Sequence, residues 1–352
     1  MQQLSPKQQK ILAILIKNGK MPSSAIYKEL SKTGEKVSLV TVKRMLSEMV
    51  DQKAIEVFGL GRTTSYAIAV IGRVFFDINA KDYCLVEPDR RYGLSRYNFD
   101  LFKNLPQTFF NDDELAQFNA ATETYKQRSK NISAVVKRKE WERLVIELSW
   151  KSSKIEGNTY TLLETEKLIL ENKKAAGRSK DETQMILNHK DALNFVRENA
   201  KEFAVINRTN LEKLHSILVK DLGVGFGLRK VPVGITGVKY QPLDNIYQIG
   251  EAVTALSVAI DKMQTAYAKS LLAVLGISYI QPFEDGNKRT SRLMANALLL
   301  AHGLAPLSYR SVDETEYRQA MIVFYELNSV IPFKKIFLGQ YEFAANNYAL
   351  GL

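Results

Sequence analysis

Beyond residue 160, Thr161 with Glu164, Ser179 with Glu182, and Asp313 with Glu316 each set a hydroxyl or carboxylate side chain three positions ahead of a Glu. Each pair predicts a helix start, because the first side chain accepts from a free N–H of the opening turn and the Glu reaches back to the cap's own N–H. Further apolar runs at helical spacing cover Asn210 to Leu222, Ile246 to Met263, Ala266 to Ile280, Arg289 to His302 and Pro332 to Tyr348. Gly303 stops the run that ends at His302. The exception is Leu228 to Leu243. There Val231, Val233 and Ile235 alternate, Gly237 turns the chain, and Val238 and Tyr240 resume the alternation, which predicts a small β-hairpin.

The first 70 residues read as a separate module, with 11 basic against 5 acidic side chains. Ser5-Pro6 opens a helix carrying Ile11, Leu12, Ile14, Leu15 and Ile16, and Gly19 closes it. Ser23 or Ser24 caps a second helix, with Ile26, Tyr27 and Leu30. A third starts near Ser38, with Val42, Leu46 and Met49 on one face. Ile55 to Phe58 and Thr64 to Val70 are β-type runs around Gly59-Leu60-Gly61-Arg62, a hairpin signal. The segment resembles a winged helix-turn-helix domain, with Ser38 to Val50 as recognition helix and Gly59 to Thr64 as wing tip. In DNA binding, Ser38, Thr41, Lys43, Arg44 and Arg62 would face phosphates or base edges; such domains also serve as dimerisation or docking modules. Residues 71–137 are expected to be a connector packed on the helical region beyond it. It would have extended runs at Arg73 to Ile78 and Tyr83 to Val86, a polar aromatic stretch from Tyr92 to Phe102, and a helix from about Asp112 to Arg128.

Composition closes off other classes. The single cysteine, Cys84, cannot form an internal disulfide, and the three histidines, His189, His215 and His302, lack metal-ligand spacing. No apolar run approaches the ~20 residues of a membrane span, and the N-terminus has no small-residue cleavage site, so a cytoplasmic chain without membrane contact is expected. The net charge of +11 suits a polyanionic partner or a solvated basic surface equally.

The chemistry concentrates in Gln281-Pro282-Phe283-Glu284-Asp285-Gly286-Asn287-Lys288-Arg289-Thr290-Ser291-Arg292. Pro282 and Gly286 hold the loop out of helix, and the next helix presents its positive N-terminal end to the same place, which makes an anion site. Arg289 and Arg292, three apart, share a helix face suited to gripping phosphoryl oxygens, and Asp285 is a hard ligand for Mg²⁺.

The loop resembles the signature of the Fic family, HxFx(D/E)GNxRxxR, in which AMP from ATP is transferred to a protein hydroxyl. The likeness runs over roughly Lys139 to Gly303. It implies a mainly α fold in which a winged helix-turn-helix (1–70) and a connector (71–137) precede an all-α Fic domain (138–352), with the 228–243 hairpin as the flap that aligns a target segment. It further implies that Asp285 binds Mg²⁺, that Gly286 and Asn287 help form the anion hole, that Arg289 and Arg292 hold the distal phosphates, and that Phe283 anchors the loop. The target would be a Ser, Thr or Tyr hydroxyl, on another protein or on the chain itself; DNA, through residues 1–70, and a homodimer are further partners left open.

Two positions differ from many family members, although every fixed position of the signature except the first is matched. Lys288 stands where many adenylylating members have Gly and resembles the Doc branch, in which the transferred group differs. Gln281 replaces the histidine that serves as general base. A carboxamide cannot take a proton near pH 7, so on the usual mechanism binding should survive and transfer be slowed by roughly 10²- to 10⁴-fold. None of the three histidines stands at an obvious substitute position, and each reads as an ordinary helix residue. Finally, Ser152-Ser153-Lys154-Ile155-Glu156-Gly157, at the end of a helix from about 140 to 157, resembles the family's inhibitory pattern (S/T)xxxE(G/N). By that resemblance Glu156 would pair with Arg292 and force ATP into a non-productive pose. The alternative is a catalytically silent nucleotide-binding or DNA-binding regulator.

Overall fold

A computed structural model describes residues 4–350. The chain forms two compact units. The first contains the residues up to Pro106, together with Ile235–Gln241 and Arg318–Phe333; the second contains Gln107–Gly234, Pro242–Tyr317 and the residues from Lys334 onward.

The first unit begins with α1 (Pro6–Asn18), where Ser5 and Gln8 close a reciprocal cap, followed by α2 (Ser23–Lys32) and α3 (Leu39–Asp51). Their apolar faces meet through Ile11, Leu12, Ile26, Leu30, Val42 and Leu46, all fully buried. Strand β1 (Ile55–Phe58) then pairs antiparallel with β2 (Ser65–Ile68), with Ile55 opposite Ile68, to give a three-helix module with a wing. The extended runs expected at 73–78 and 83–86 are not strands. Short helices α4 (Val70–Val74) and α5 (Ala80–Cys84) stand there instead. Asn79 caps α5 by accepting from the Asp82 N–H, and Tyr83 turns into the core, where its hydroxyl donates to Glu326 Oε2 at 2.7 Å. Aromatic packing thus consumes the residues that look like a strand. Glu326, wholly buried, also meets Arg91 at 3.1 Å and accepts from the Lys239 N–H at 2.9 Å, which fastens Ile235–Gln241 into this unit.

The second unit is helical: α6 (Asp112–Ser129), α7 (Ala134–Ile155), α8 (Leu162–Glu171), α9 (Lys180–Glu198), α10 (Arg208–Leu218), α11 (Ile246–Asp261), α12 (Ala266–Ile280) and α13 (Asn287–Ala301). Two more helices come later in the chain, α14 (Glu314–Leu327) and α15 (Ile331–Asn347). The reciprocal caps at Thr161/Glu164 and Ser179/Glu182 both form, and Asp313 accepts from the N–H groups of Thr315 and Glu316. Helix α12 is buried on every face from Tyr267 to Ile280 apart from Lys269, as suits a helix apolar all round. Gly276 permits the close approach of α11, since a Cβ there would lie 2.3 Å from Leu256 Cδ1. Ser278 of α12 donates to Ser291 of α13 at 2.9 Å, locking together the two helices that flank the anion loop.

The hairpin expected at Leu228 to Leu243 is corrected. The described strands are β1 and β2 only, and residues 228–240 pass through bends and a turn without a ladder. The buried Arg229 guanidinium takes the carbonyls of Val231 (2.8 Å) and Leu243, while its backbone N–H donates to the Pro282 carbonyl at 3.0 Å. Groups that a ladder would use are thereby satisfied elsewhere. Among the described residues no helix is long and apolar enough to cross a membrane.

Candidate functional site

The anion loop joins α12 to α13. It leaves α12 through Gln281, which adopts a left-handed backbone (φ 51°) and closes the helix, its N–H donating to the Ile277 carbonyl. Phe283 is fully buried and stacks flat on His215, with ring centroids 3.7 Å apart. Asn287 clamps the turn: its Oδ1 accepts from the Phe283 N–H and its Nδ2 donates to the Phe283 carbonyl, both at 2.8 Å. Gly286 caps α13 with φ 76°, and a Cβ there would crowd Val219 Cγ1 at 3.0 Å. Side chains cap α8 to α12, but none caps α13, so its opening N–H groups are left for another acceptor.

Two guanidinium groups flank this end. Arg289 is 3% exposed and donates to Asp285 Oδ2 at 2.8 Å, while its Nη1 is buried with no partner. Arg292 is completely buried and donates from Nε to Ser152 Oγ and from Nη2 to the Ser152 carbonyl, both at 2.9 Å. Asp285 is 67% exposed. Among the described residues no three acidic, Cys or His side chains gather as a metal cage. A single exposed carboxylate beside orphaned donors fits Mg²⁺ held jointly with phosphate and water better than a protein-only site.

The last turn of α7 brings Ser152, Glu156 and Gly157 to the same place. Glu156 Oε1 lies 2.9 Å from Arg292 Nη2 and its Oε2 lies 3.4 Å from Lys288 Nζ, with 18% of the side chain exposed. Burial works to raise the Glu156 carboxyl, but the charges of Arg292 and Lys288 outweigh it and hold the group below the usual carboxylate range. Gly157 turns the chain away at φ 98°. Beyond it, Glu182 Oε1 accepts from both the N–H (2.8 Å) and the hydroxyl (2.6 Å) of Thr159. That hydroxyl bond, the Ser179 N–H and the Thr159 N–H pull the Glu182 carboxyl down to about 2.

Gln281 is nearly buried, and its Nε2 donates to the Ser278 carbonyl at 2.7 Å. Two histidines read from the sequence as ordinary helix residues are built into the site's walls. His215 donates from Nε2 to the Asp285 carbonyl at 2.9 Å, and burial lowers its pKa to about 4. His189 Nε2 lies 2.7 Å from Ser152 Oγ, and burial, then Arg292 and Arg289, keep its ring neutral. One signal is present in the sequence: His215 lies on the apolar stripe of Leu211, Leu214 and Leu218, where a histidine implies a buried partner.

The remaining candidates lie in the first unit. Ser38 caps α3, its Oγ accepting from the Thr41 N–H at 3.1 Å. Lys43 and Arg44 are exposed on α3, with Arg44 3.7 Å from Glu48, and Arg62 is exposed in the turn between β1 and β2.

Residues 205–299 match the sequence profile of the Fic/DOC family, and residues 4–76 match that of the penicillinase repressor. The chain is similar to the protein adenylyltransferase Fic of Drosophila willistoni, at 28% identity over 173 residues, 46% of this chain and 33% of that protein. It is likewise similar to that of Nematostella vectensis, at 27% over 187 residues, 48% and 40% respectively. The chain thus spans well under half the length of these curated relatives. In fold it resembles a Fic family protein from Desulfovibrio desulfuricans (TM-score 0.57, 21% identity, 69% of this chain and 75% of that one). It also resembles a Fic domain containing signaling protein from Bacteroides thetaiotaomicron (TM-score 0.54, 20% identity, 65% and 94%).

Proposed function

Because the chain belongs to the Fic family through the domain that carries residues 205–299, with a winged-helix module ahead of it, we propose that it binds ATP with Mg²⁺ at the 281–292 loop and that Glu156 holds this site shut. One observation carries the reading: an internal carboxylate sits on Arg292 and Lys288 at the uncapped end of α13, where an anion is otherwise required. Gly286, Asn287 and the opening N–H groups of α13 receive the inner phosphates. Arg289, Arg292 and Lys288 take the distal ones. Mg²⁺, when bound, neutralises charge on the phosphates, and Asp285 is the residue that would hold it.

Transfer of AMP follows from the family. The target's hydroxyl oxygen bonds to the α-phosphorus, the bond to pyrophosphate breaks, and the hydroxyl proton must pass to a base. Gln281 can accept a hydrogen bond but not that proton, so the chain as it stands binds nucleotide and transfers slowly. Incubation with labelled ATP and Mg²⁺ tests the reading. Label should reach protein after Gln281→His, and more after Gln281→His with Glu156→Gly; strong labelling by the unaltered chain would refute a disabling role for Gln281.

A second reading is a regulator that senses nucleotide and binds DNA. It is favoured by the match of residues 4–76 to a repressor profile and by Lys43, Arg44 and Arg62 standing exposed on α3 and the wing.

A further inference from the structure

Glu156 is held from two sides. On the entry side stands α7, buried along Leu144, Val145 and Leu148 and tied down where Lys151 meets Glu314 at 2.5 Å. On the exit side the backbone passes Gly157, whose left-handed conformation has open space around it and so resists little if the chain turns. The Asn158 N–H donates to the Ser153 carbonyl at 3.1 Å, and the residue after it is fixed by Glu182. Its carbonyl accepts from Asn158 Nδ2 at 2.9 Å, and its carboxylate accepts the N–H and hydroxyl of Thr159. Arg178 braces the pair, donating from Nη1 to Thr159 Oγ1 at 2.9 Å while its Nη2 holds Glu164. The other Glu182 oxygen accepts from the Ser179 N–H at 3.0 Å, so the grip is anchored to the start of α9. Thr159 is exposed, unlike the buried Ser152 at the core of the contact, so this is the part of the assembly that solvent and partners can reach.

We infer that Thr159 and Glu182 form a latch that keeps the Glu156 turn wound against Arg292, with Thr159 as a positioning residue for the inhibitory carboxylate. The inference rests on the reading that Glu156 and ATP compete for Arg292. Removing the hydroxyl takes away both the bond it donates to Glu182 and the bond it accepts from Arg178, each charge-assisted, and the turn then yields to nucleotide more readily.

The test is calorimetric titration of the full chain with ATP and Mg²⁺ for the unaltered protein, Thr159→Val, Thr159→Ser, Glu156→Gln and Thr159→Val with Glu156→Gln. Thr159→Val should tighten ATP binding roughly five-fold, the equivalent of about 1 kcal/mol. Thr159→Ser, which keeps the hydroxyl, should bind as the unaltered chain does. In the Glu156→Gln background Thr159→Val should add nothing, because there is no carboxylate left to position. If Glu156→Gln tightens binding but Thr159→Val does not, or if the Thr159 effect persists without Glu156, the latch is refuted and the inhibitory reading stands. If neither substitution changes the affinity, both are refuted.

Discussion

Replacing Glu156 by Gln keeps the shape of its contact with Arg292 and removes its charge. Arg292 is completely buried, with the Glu156 carboxylate 2.9 Å away, but it also donates to the carbonyl and hydroxyl of Ser152. Orphaning a buried ion-pair partner typically costs 3–5 kcal/mol, and a hydrogen bond to a charged group contributes ~1.5–3. Gln still offers an acceptor, and Glu156 is 18% exposed, so the loss here should be about 2 kcal/mol. For a domain of this size that lowers Tm by roughly 4–8 °C in the absence of nucleotide. On the proposed function the same energy would oppose ATP in the unaltered chain, because the γ-phosphate would have to displace the carboxylate. Its removal should tighten ATP roughly 30-fold, while ADP, lacking that phosphate, should gain much less. Thermal denaturation and calorimetry with both nucleotides in Mg²⁺ read the two halves separately. A fall in Tm with equal gains for ATP and ADP, or with no gain for either, would show that Glu156 supports the fold without covering the γ-phosphate position.

Three further outcomes are expected. The buried His215 ring has its pKa lowered to about 4 against an ordinary value of about 6.5, so the unfolded chain takes up the proton first. Its contribution is undiminished above pH 6.5, and stability falls as the pH drops from there towards 4, by up to about 3 kcal/mol. Urea midpoints measured at several pH values should flatten over that window in His215→Gln, and an unchanged slope would remove His215 as the cause. Phe283→Ala empties the space against His215 and should cost about 3–5 kcal/mol, read from urea unfolding; a loss under 1 kcal/mol would mean that the loop does not depend on this stack. Lys43→Ala with Arg44→Ala should reduce the salt dependence of duplex DNA binding by a log–log slope of about 2, measured by fluorescence anisotropy. Absence of affinity for duplex at low salt would point to docking as the role of the first unit.

What can be read from the residues alone is whatever neighbours in sequence decide. The caps at Thr161 and Ser179 are settled within four residues, and so are the wing turn and the start of α13 at Gly286. Local patterns mislead where a distant group intervenes. Alternation at Val231 to Tyr240 looks like a hairpin until the Arg229 guanidinium claims the carbonyls of Val231 and Leu243. Tyr83 looks like part of a strand until Glu326, 243 positions away, accepts from its hydroxyl. His189 and His215 look ordinary because their partners, Ser152 and Asp285, lie 37 and 70 residues away, and no local pattern encodes such a meeting.

The first unit is drawn from three separate stretches, the last ending at Phe333, and Val323 and Leu327 from that last stretch pack into the same core as α1 to α3. During synthesis this core is therefore complete only after the chain has been made as far as Leu327. A fragment cut after the wing would lack four of its buried core residues, Phe76, Tyr83, Val323 and Leu327. The module that by sequence looks like a detachable head shares its core with residues made long after it.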